Sequence, residues 1–213
     1  MNREQGLHQL EQTRIIAILR GVAETDLMQV AEALWQGGIR VMEITLNTPD
    51  ALQMIDQVQK QYGEQMYIGA GTVLDLEDAH NAVEAGASFL VTPNTDEEVI
   101  HFAVKSNIPI YIGAMTPTEI VKAWKAGATA VKIFPSTGLG LPYIKELQGP
   151  FKQIPFVAVG GVNEENIRAF LSEGCHAIGI GGSLIQLTKI EEGNFSWIQE
   201  KAARLIKLAA LAN

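Results

Sequence analysis

Two charged residues lie where the sequence is otherwise apolar. Lys132 sits between Val131 and Ile133 in "AVKIFPS" (130–136), and Glu43 sits between Met42 and Ile44 in "RVMEITLN" (40–47). An ammonium is costly to bury, so a lysine in such a run needs a reason. Desolvation lowers a lysine's pKa and offers a neutral amine at pH 7. A neutral amine attacks carbonyl carbon and forms a Schiff base. The protonated imine is an electron sink, so a C–C bond next to the former carbonyl can break or form. That step needs a proton shuttle, and Glu43 is the candidate. A nearby carboxylate also raises the lysine's pKa, and the sequence leaves open which effect wins. The alternative is a buried Lys132–Glu43 ion pair without chemistry. Such pairs stabilise poorly compared with apolar replacements, which favours the functional reading.

Three further groups could handle a substrate. Arg20 ends the run "IIAILR" and brings a third charge. The pairs in "AVGGV" (158–162) and "GIGGSL" (179–184) place Gly160, Gly161, Gly182 and Ser183 after two consecutive apolar runs. Backbone N–H groups there can cradle a phosphate, helped by Ser183 and the N-terminus of a short following helix. Each pair taken alone also reads as a tight turn. In "GAGTVL" (69–74), Gly69 and Gly71 leave room near a ligand and Thr72 offers a hydroxyl; a glycine-relaxed strand end is the plain alternative. Pro93 and Phe134 are candidate walls of the site, or simply a strand-end proline and a core aromatic. The histidines, His8, His80, His101 and His176, show no metal-ligand spacing, so neither a metal nor another cofactor is expected. Cys175, beside a helix-ending glycine, reads as a buried inert thiol.

The elements that must position these residues alternate from end to end. Strands are predicted near 14–21, 40–47, 66–73, 88–94, 108–114, 130–136, 156–161 and 177–183. Helices are predicted near 25–37, 49–61, 75–85, 95–106, 117–126, 141–148, 163–173 and 195–211. Most strand runs are continuously apolar, as strands covered by helices should be. "WQGGIRVMEI", "EAGASFLVTP", "KAGATAVKIFP" and "SEGCHAIGIGG" repeat one grammar, a helix closed by glycine and followed by a strand. Eight βα units without a linker imply an α/β fold, a single-domain (β/α)8 TIM barrel over 1–213, with a short N-terminal helix (2–13) closing its bottom. An open doubly wound sheet is disfavoured because the first βα turn, "ILRGVAET", lacks G-x-G-x-x-G. Alternation places Lys132 and Phe134 inside the barrel, and Val41, Glu43, Thr45 and Asn47 together on the inner face.

Composition limits the partners. Net charge is −8, from 16 basic and 24 acidic residues with no basic cluster, so nucleic acid is not an expected partner and an anionic substrate needs local donors. The polar N-terminus resembles no signal peptide, and no apolar run reaches membrane-spanning length. A single cysteine fits a reducing compartment, and a cytoplasmic location is expected. The amphipathic C-terminal segment reads as packing on the barrel rather than on a membrane.

Together "IIAILRG", "EITLNTP", "IGAGTVL", "VTPN", "VKIFPS", "VAVGGV" and "IGIGGS", in this order over about 14–185, resemble the class I 2-keto-3-deoxy-6-phosphogluconate (KDPG) and 4-hydroxy-2-oxoglutarate (KHG) aldolase family, with its 2-keto-3-deoxy-6-phosphogalactonate (KDPGal) branch. The resemblance implies cleavage of a phosphorylated 2-keto-3-deoxy sugar acid to pyruvate and glyceraldehyde 3-phosphate, or of 4-hydroxy-2-oxoglutarate to pyruvate and glyoxylate. It implies Lys132 as the Schiff-base lysine, Glu43 as the acid/base, Thr72 at the pyruvyl carboxylate, and Gly160, Gly161, Gly182 and Ser183 around the phosphate. It also implies a homotrimer and no metal. Two positions depart from the phosphogluconate pattern: Asn47 stands where that branch commonly has arginine, and Val159 where it has threonine. Both lean towards the phosphogalactonate branch, with Arg20 supplying the missing carboxylate donor. Two other classes stay open on the same scaffold: a phosphosugar isomerase or epimerase, and a non-catalytic phosphometabolite-binding barrel.

Overall fold

All eight apolar runs form parallel strands, and these close in chain order into a barrel: β1 (Ile15–Leu19), β2 (Val41–Thr45), β3 (Tyr67–Gly71), β4 (Leu90–Val91), β5 (Ile110–Ala114), β6 (Ala130–Ile133), β7 (Phe156–Val159) and β8 (Ala177–Ile180). The computed structural model describes residues 1–212; Asn213, the last residue of the predicted 1–213 span, lies outside the described residues. The helices are α1 (Arg3–Thr13), α2 (Leu27–Gln36), α3 (Ala51–Tyr62), α4 (Leu76–Glu84), α5 (Glu97–Lys105), α6 (Pro117–Ala126), α7 (Ser136–Gln148), α8 (Ile167–Ser172), α9 (Leu187–Glu191) and α10 (Phe195–Ala210).

Strand alternation divides the core in two. Ile16, Ile18, Val41, Tyr67, Tyr111 and Val157 pack inside the barrel. Ala17, Leu19, Met42, Ile44, Val131 and Ile133 face the helices. The strands are therefore buried on both faces, which is why they read as apolar throughout. α1 closes the amino-terminal end as predicted: Leu10 joins the inner cluster, and Gly6 lies so close to the Tyr67 ring that no Cβ would fit. The repeated helix-closing glycines, Gly38, Gly86, Gly127 and Gly174, have φ between 92° and 101°, the left-handed caps their grammar predicts. α10 buries Ile198, Ala202, Leu205 and Ala209, with Ala202 against Gly37. Among the described residues no helix is long and apolar enough to cross a membrane.

Four local expectations are corrected. β2 ends at Thr45, where a turn closes with Thr48 N–H donating to the Thr45 carbonyl, so Asn47 leaves the alternation and is exposed rather than inside. α7 starts at Ser136 rather than near 141: its first turn is broken at Gly140 (φ 77°), and the regular helix restarts beside Pro142, which suits a helix's first turn. The short helix expected after strand eight is α9, and it begins only at Leu187. Gly69 and Gly71 make room for protein rather than ligand, since a Cβ at Gly69 would enter the Phe89 ring and one at Gly71 would overlap the Glu43 carboxyl.

Candidate active site

Lys132 and Glu43 reach the barrel interior from β6 and β2, with 3% and 2% of their surfaces exposed. Two glycines make this possible. Gly71 yields its side-chain space to the Glu43 carboxyl, and Gly113, the register partner of Lys132, lets the Pro93 backbone pass across it. The two charged groups feel each other electrostatically but form no ion pair among the described residues. The Lys132 ammonium position instead lies 5.0 Å from the centroid of the Phe134 ring.

Burial decides both titrations. It pushes Lys132 below the ordinary lysine range, against Glu43, which raises it, while Arg20 lowers it further. It also pushes Glu43 up to about 6, against the lowering by Lys132 and Arg20. Desolvation favours the neutral form of each partner. The site thus holds an amine driven towards nucleophilic form beside a carboxyl that can take or give a proton close to neutrality.

Beside this pair lies a cavity of about 370 Å³, lined by Ile18, Arg20, Phe134, Val159, the 160–163 turn, Gly179 and Gly181–Ser183. Gly160 and Gly161 have φ of 98° and 77°, a doubly left-handed turn that only glycine adopts without strain. The N–H groups of Gly161, Val162, Gly182 and Ser183 donate to no acceptor among the described residues. Arg20 is the single cationic side chain of the lining. Unpaired amides with a guanidinium suit an anion. Another cavity, of about 400 Å³, is lined by Leu46, Thr48, Asp50, Leu52, Asp78 and Asn81 among others; it carries carboxylates and no cation, which suits an anion poorly.

The predicted residues are brought together unevenly. Phe134, Gly160, Gly161, Gly182, Ser183 and Arg20 line one cavity, so Arg20 and the glycine pairs face the same space. Arg20 Nη2 also donates to Thr72 Oγ1 at 3.4 Å, and Thr72 has a φ of 57°, uncommon for a β-branched residue. Lys132 and Glu43 lie outside the cavity lining and border it through Phe134 and Ile18: Phe134 faces the lysine, and Ile18 is the register partner of Glu43. Pro93 is not part of the lining and acts on this region through Gly113. The Ser183 hydroxyl donates to the Val162 carbonyl at 2.7 Å, tying the two glycine turns together, so its proton is already engaged. No α9 residue lines the cavity, which removes the expected helix terminus from the cradle. Sequence reasoning missed Ile18, Val162, Asn163, Gly179 and Gly181 in the lining; the inward parity of Ile18 and the place of the two glycines in "GIGGSL" are the signals that could have found them.

Known proteins resemble this chain over most of its length. The family model for KDPG and KHG aldolase matches residues 7–201. A 2-dehydro-3-deoxy-6-phosphogalactonate aldolase of Escherichia coli (strain K12) is 39% identical over 171 residues, 80% of this chain and 83% of the relative. A solved native KDPGal structure superposes with TM-score 0.87 at 36% identity, covering 93% of this chain and 95% of the other. The KDPG aldolase from Legionella pneumophila, solved with pyruvate captured at low pH as a covalent carbinolamine intermediate, has TM-score 0.87 at 30% identity, covering 92% and 96%.

Proposed function

Since the chain belongs to the KDPG and KHG aldolase family of carbon–carbon lyases, we propose that it is a Schiff-base aldolase that cleaves 2-keto-3-deoxy-6-phosphogalactonate to pyruvate and glyceraldehyde 3-phosphate. The observation that carries this reading is the Lys132–Glu43 arrangement: a buried amine and a buried carboxyl with no ion pair between them, next to a cavity with unpaired amides. A purely structural pair would be joined, since burial repays itself only in close geometry.

In this reading neutral Lys132 Nζ attacks the C2 carbonyl carbon. The carbinolamine loses its hydroxyl as water and leaves a protonated imine. The C4 hydroxyl then gives up its proton, C4–O becomes a carbonyl, and the C3–C4 bond breaks. Its electron pair enters the iminium, leaving the enamine of pyruvate and free aldehyde. Protonation at C3 and addition of water release pyruvate and regenerate the amine. Glu43 relays the protons in these steps. Its elevated pKa suits a group that must both take and give them. Arg20 and Thr72 hold the carboxylate end, with Phe134 as a wall. The unpaired amides of Gly161, Val162, Gly182 and Ser183 receive the phosphate.

The galactonate preference rests on Val159, an apolar lining residue with no hydroxyl to offer the substrate, and on the resemblance to the phosphogalactonate relatives. The protein works in the cytoplasm on a small 2-keto acid, without nucleic acid or membrane, as a homotrimer. Leu52, Leu74 and Leu76, 37–50% exposed around the starts of α3 and α4, supply apolar surface for association. The test is pyruvate release from the galactonate and gluconate substrates under identical conditions, with borohydride trapping of pyruvate and mass mapping of the adduct. A higher kcat/KM on the gluconate isomer would reverse the substrate assignment, and an adduct on another residue would overturn the role of Lys132.

A further inference from the structure

The glycine turn after β7 has a problem that its amides alone do not solve. A peptide between two left-handed glycines flips at little cost, because neither residue has a Cβ to oppose rotation. In a trans peptide the carbonyl and the N–H point opposite ways. A flip would therefore turn a carbonyl oxygen, with its partial negative charge, towards the cavity in place of the N–H. Something must hold that plane, and the Gly161–Val162 peptide after it is unhindered at its glycine end.

Both planes are held from outside the cavity lining. The Gly160 carbonyl accepts from Thr137 twice, from its N–H at 3.2 Å and from its Oγ1 at 3.0 Å. That peptide carries the Gly161 N–H. The next carbonyl, of Gly161, accepts from Asn166 Nδ2 at 3.2 Å, and that peptide carries the Val162 N–H. Asn166 is itself fixed, because its Oδ1 accepts from Asn163 N–H at 2.9 Å. Thr137 is also packed against Gly161, occupying the space a Cβ there would need. Neither Thr137 nor Asn166 lines the cavity, and the two amides they orient have no other acceptor among the described residues.

We infer that Thr137 and Asn166 are positioning residues for the anionic group of the substrate: they bind the outward carbonyls of the glycine turn and thereby aim the Gly161 and Val162 amides into the cavity. Thr137 lies in the first turn of α7, shortly after β6 ends at Ile133, so the segment that carries Lys132 also sets the anion cradle. This rests on the proposed reading of that cavity as the phosphate end. The hydroxyl of Thr137 is the part that valine cannot replace, whereas serine keeps it.

The test measures kcat and KM for the phosphorylated 2-keto-3-deoxy sugar acid and for the same acid without phosphate, with inorganic phosphate as inhibitor of the second reaction. Thr137→Val and Asn166→Ala are each expected to lower the phosphorylated-to-unphosphorylated ratio of kcat/KM by roughly five- to tenfold, the scale of one hydrogen bond, through KM rather than kcat. The inhibition constant of inorganic phosphate should rise by the same factor, and Thr137→Ser should restore both. If the wild type discriminates and the valine and alanine variants discriminate equally well, the positioning role is wrong while the phosphate site stands. Equal losses on both substrates with a lowered Tm would make the residues merely structural and overturn the inference. If the wild type ignores phosphate altogether, the cavity reading fails and the inference fails with it.

Discussion

Gly71 gives its side-chain space to the carboxyl of Glu43: a Cβ added at Gly71 would overlap that carboxyl. The acid is thus placed by an absence on the neighbouring strand. Gly71→Ala should displace Glu43 inside a packed barrel. Overpacking of this kind costs about 1–3 kcal/mol, and loss of a positioned acid/base costs about 10²-fold or more in turnover. Parallel measurement of kcat and urea stability checks this. Full turnover in a destabilised variant would detach the position of Glu43 from catalysis.

Lys132→Met removes the proposed nucleophile and also a buried ammonium. Cleavage and borohydride trapping of pyruvate should both disappear, because methionine fits an apolar interior but cannot form an imine. The stability effect has a sign. Burial holds the folded-state pKa of Lys132 below 10.5, so between that lowered value and 10.5 the unfolded chain binds more protons. Stability of the wild type therefore rises with pH across that window, and the penalty is full below it. The methionine variant should be more stable than wild type at pH 6, by an amount that shrinks towards pH 10. Denaturant unfolding at the two pH values decides; a constant difference would mean that Lys132 titrates normally.

Glu43 gives the opposite slope. Its folded pKa stands at about 6 against an ordinary value of 4.5, so between these values the folded chain binds more protons than the unfolded one. Stability contributed through this group falls as pH rises from 4.5 through 6, by about 2 kcal/mol in all. Glu43→Gln should abolish that change, and should also remove a bend near pH 6 in the kcat/KM profile. A profile that keeps its bend in the glutamine variant would assign the titration to another group.

The barrel is legible in the sequence because its strands are buried on both faces and most of its helices end at or beside a glycine, so the pattern recurs along the chain. Lys132 and Glu43 stand out for the same reason: a charge inside an apolar strand is visible against its neighbours. Position beyond a strand's end is not legible in the same way. Extending the alternation past Thr45 puts Asn47 inside, but the Thr45–Thr48 turn breaks that alternation. Gly69 and Gly71 read as space without a sign of what fills it, because the Phe89 ring and the Glu43 carboxyl arrive from neighbouring strands. Thr137 and Asn166 carry no signal at all. Thr137 acts on a carbonyl distant in sequence, and Asn166 acts across a turn whose shape depends on consecutive left-handed glycines.

Arg20 and Ser183 should separate the two ends of the substrate less cleanly than their sequence positions suggest. Arg20 lines the same cavity as the glycine turns and reaches Thr72 Oγ1 at 3.4 Å, so one guanidinium borders both proposed handles. Its side chain is exposed, and a bound anion would bury its charge. Losing a charge-assisted contact of that kind costs about 1.5–3 kcal/mol, so Arg20→Ala should lower kcat/KM by roughly 10- to 150-fold on phosphorylated and unphosphorylated acids alike. Ser183→Ala should act differently. Its hydroxyl is engaged by the Val162 carbonyl, so its loss loosens the link between the two glycine turns rather than deleting a phosphate donor outright. The expected loss is under about tenfold, the scale of one neutral hydrogen bond, and confined to the phosphorylated substrate. The comparison of both substrates in both variants is decisive. An effect of Arg20→Ala restricted to the phosphorylated acid would make Arg20 a phosphate ligand, leaving Thr72 and nearby amides to hold the carboxylate.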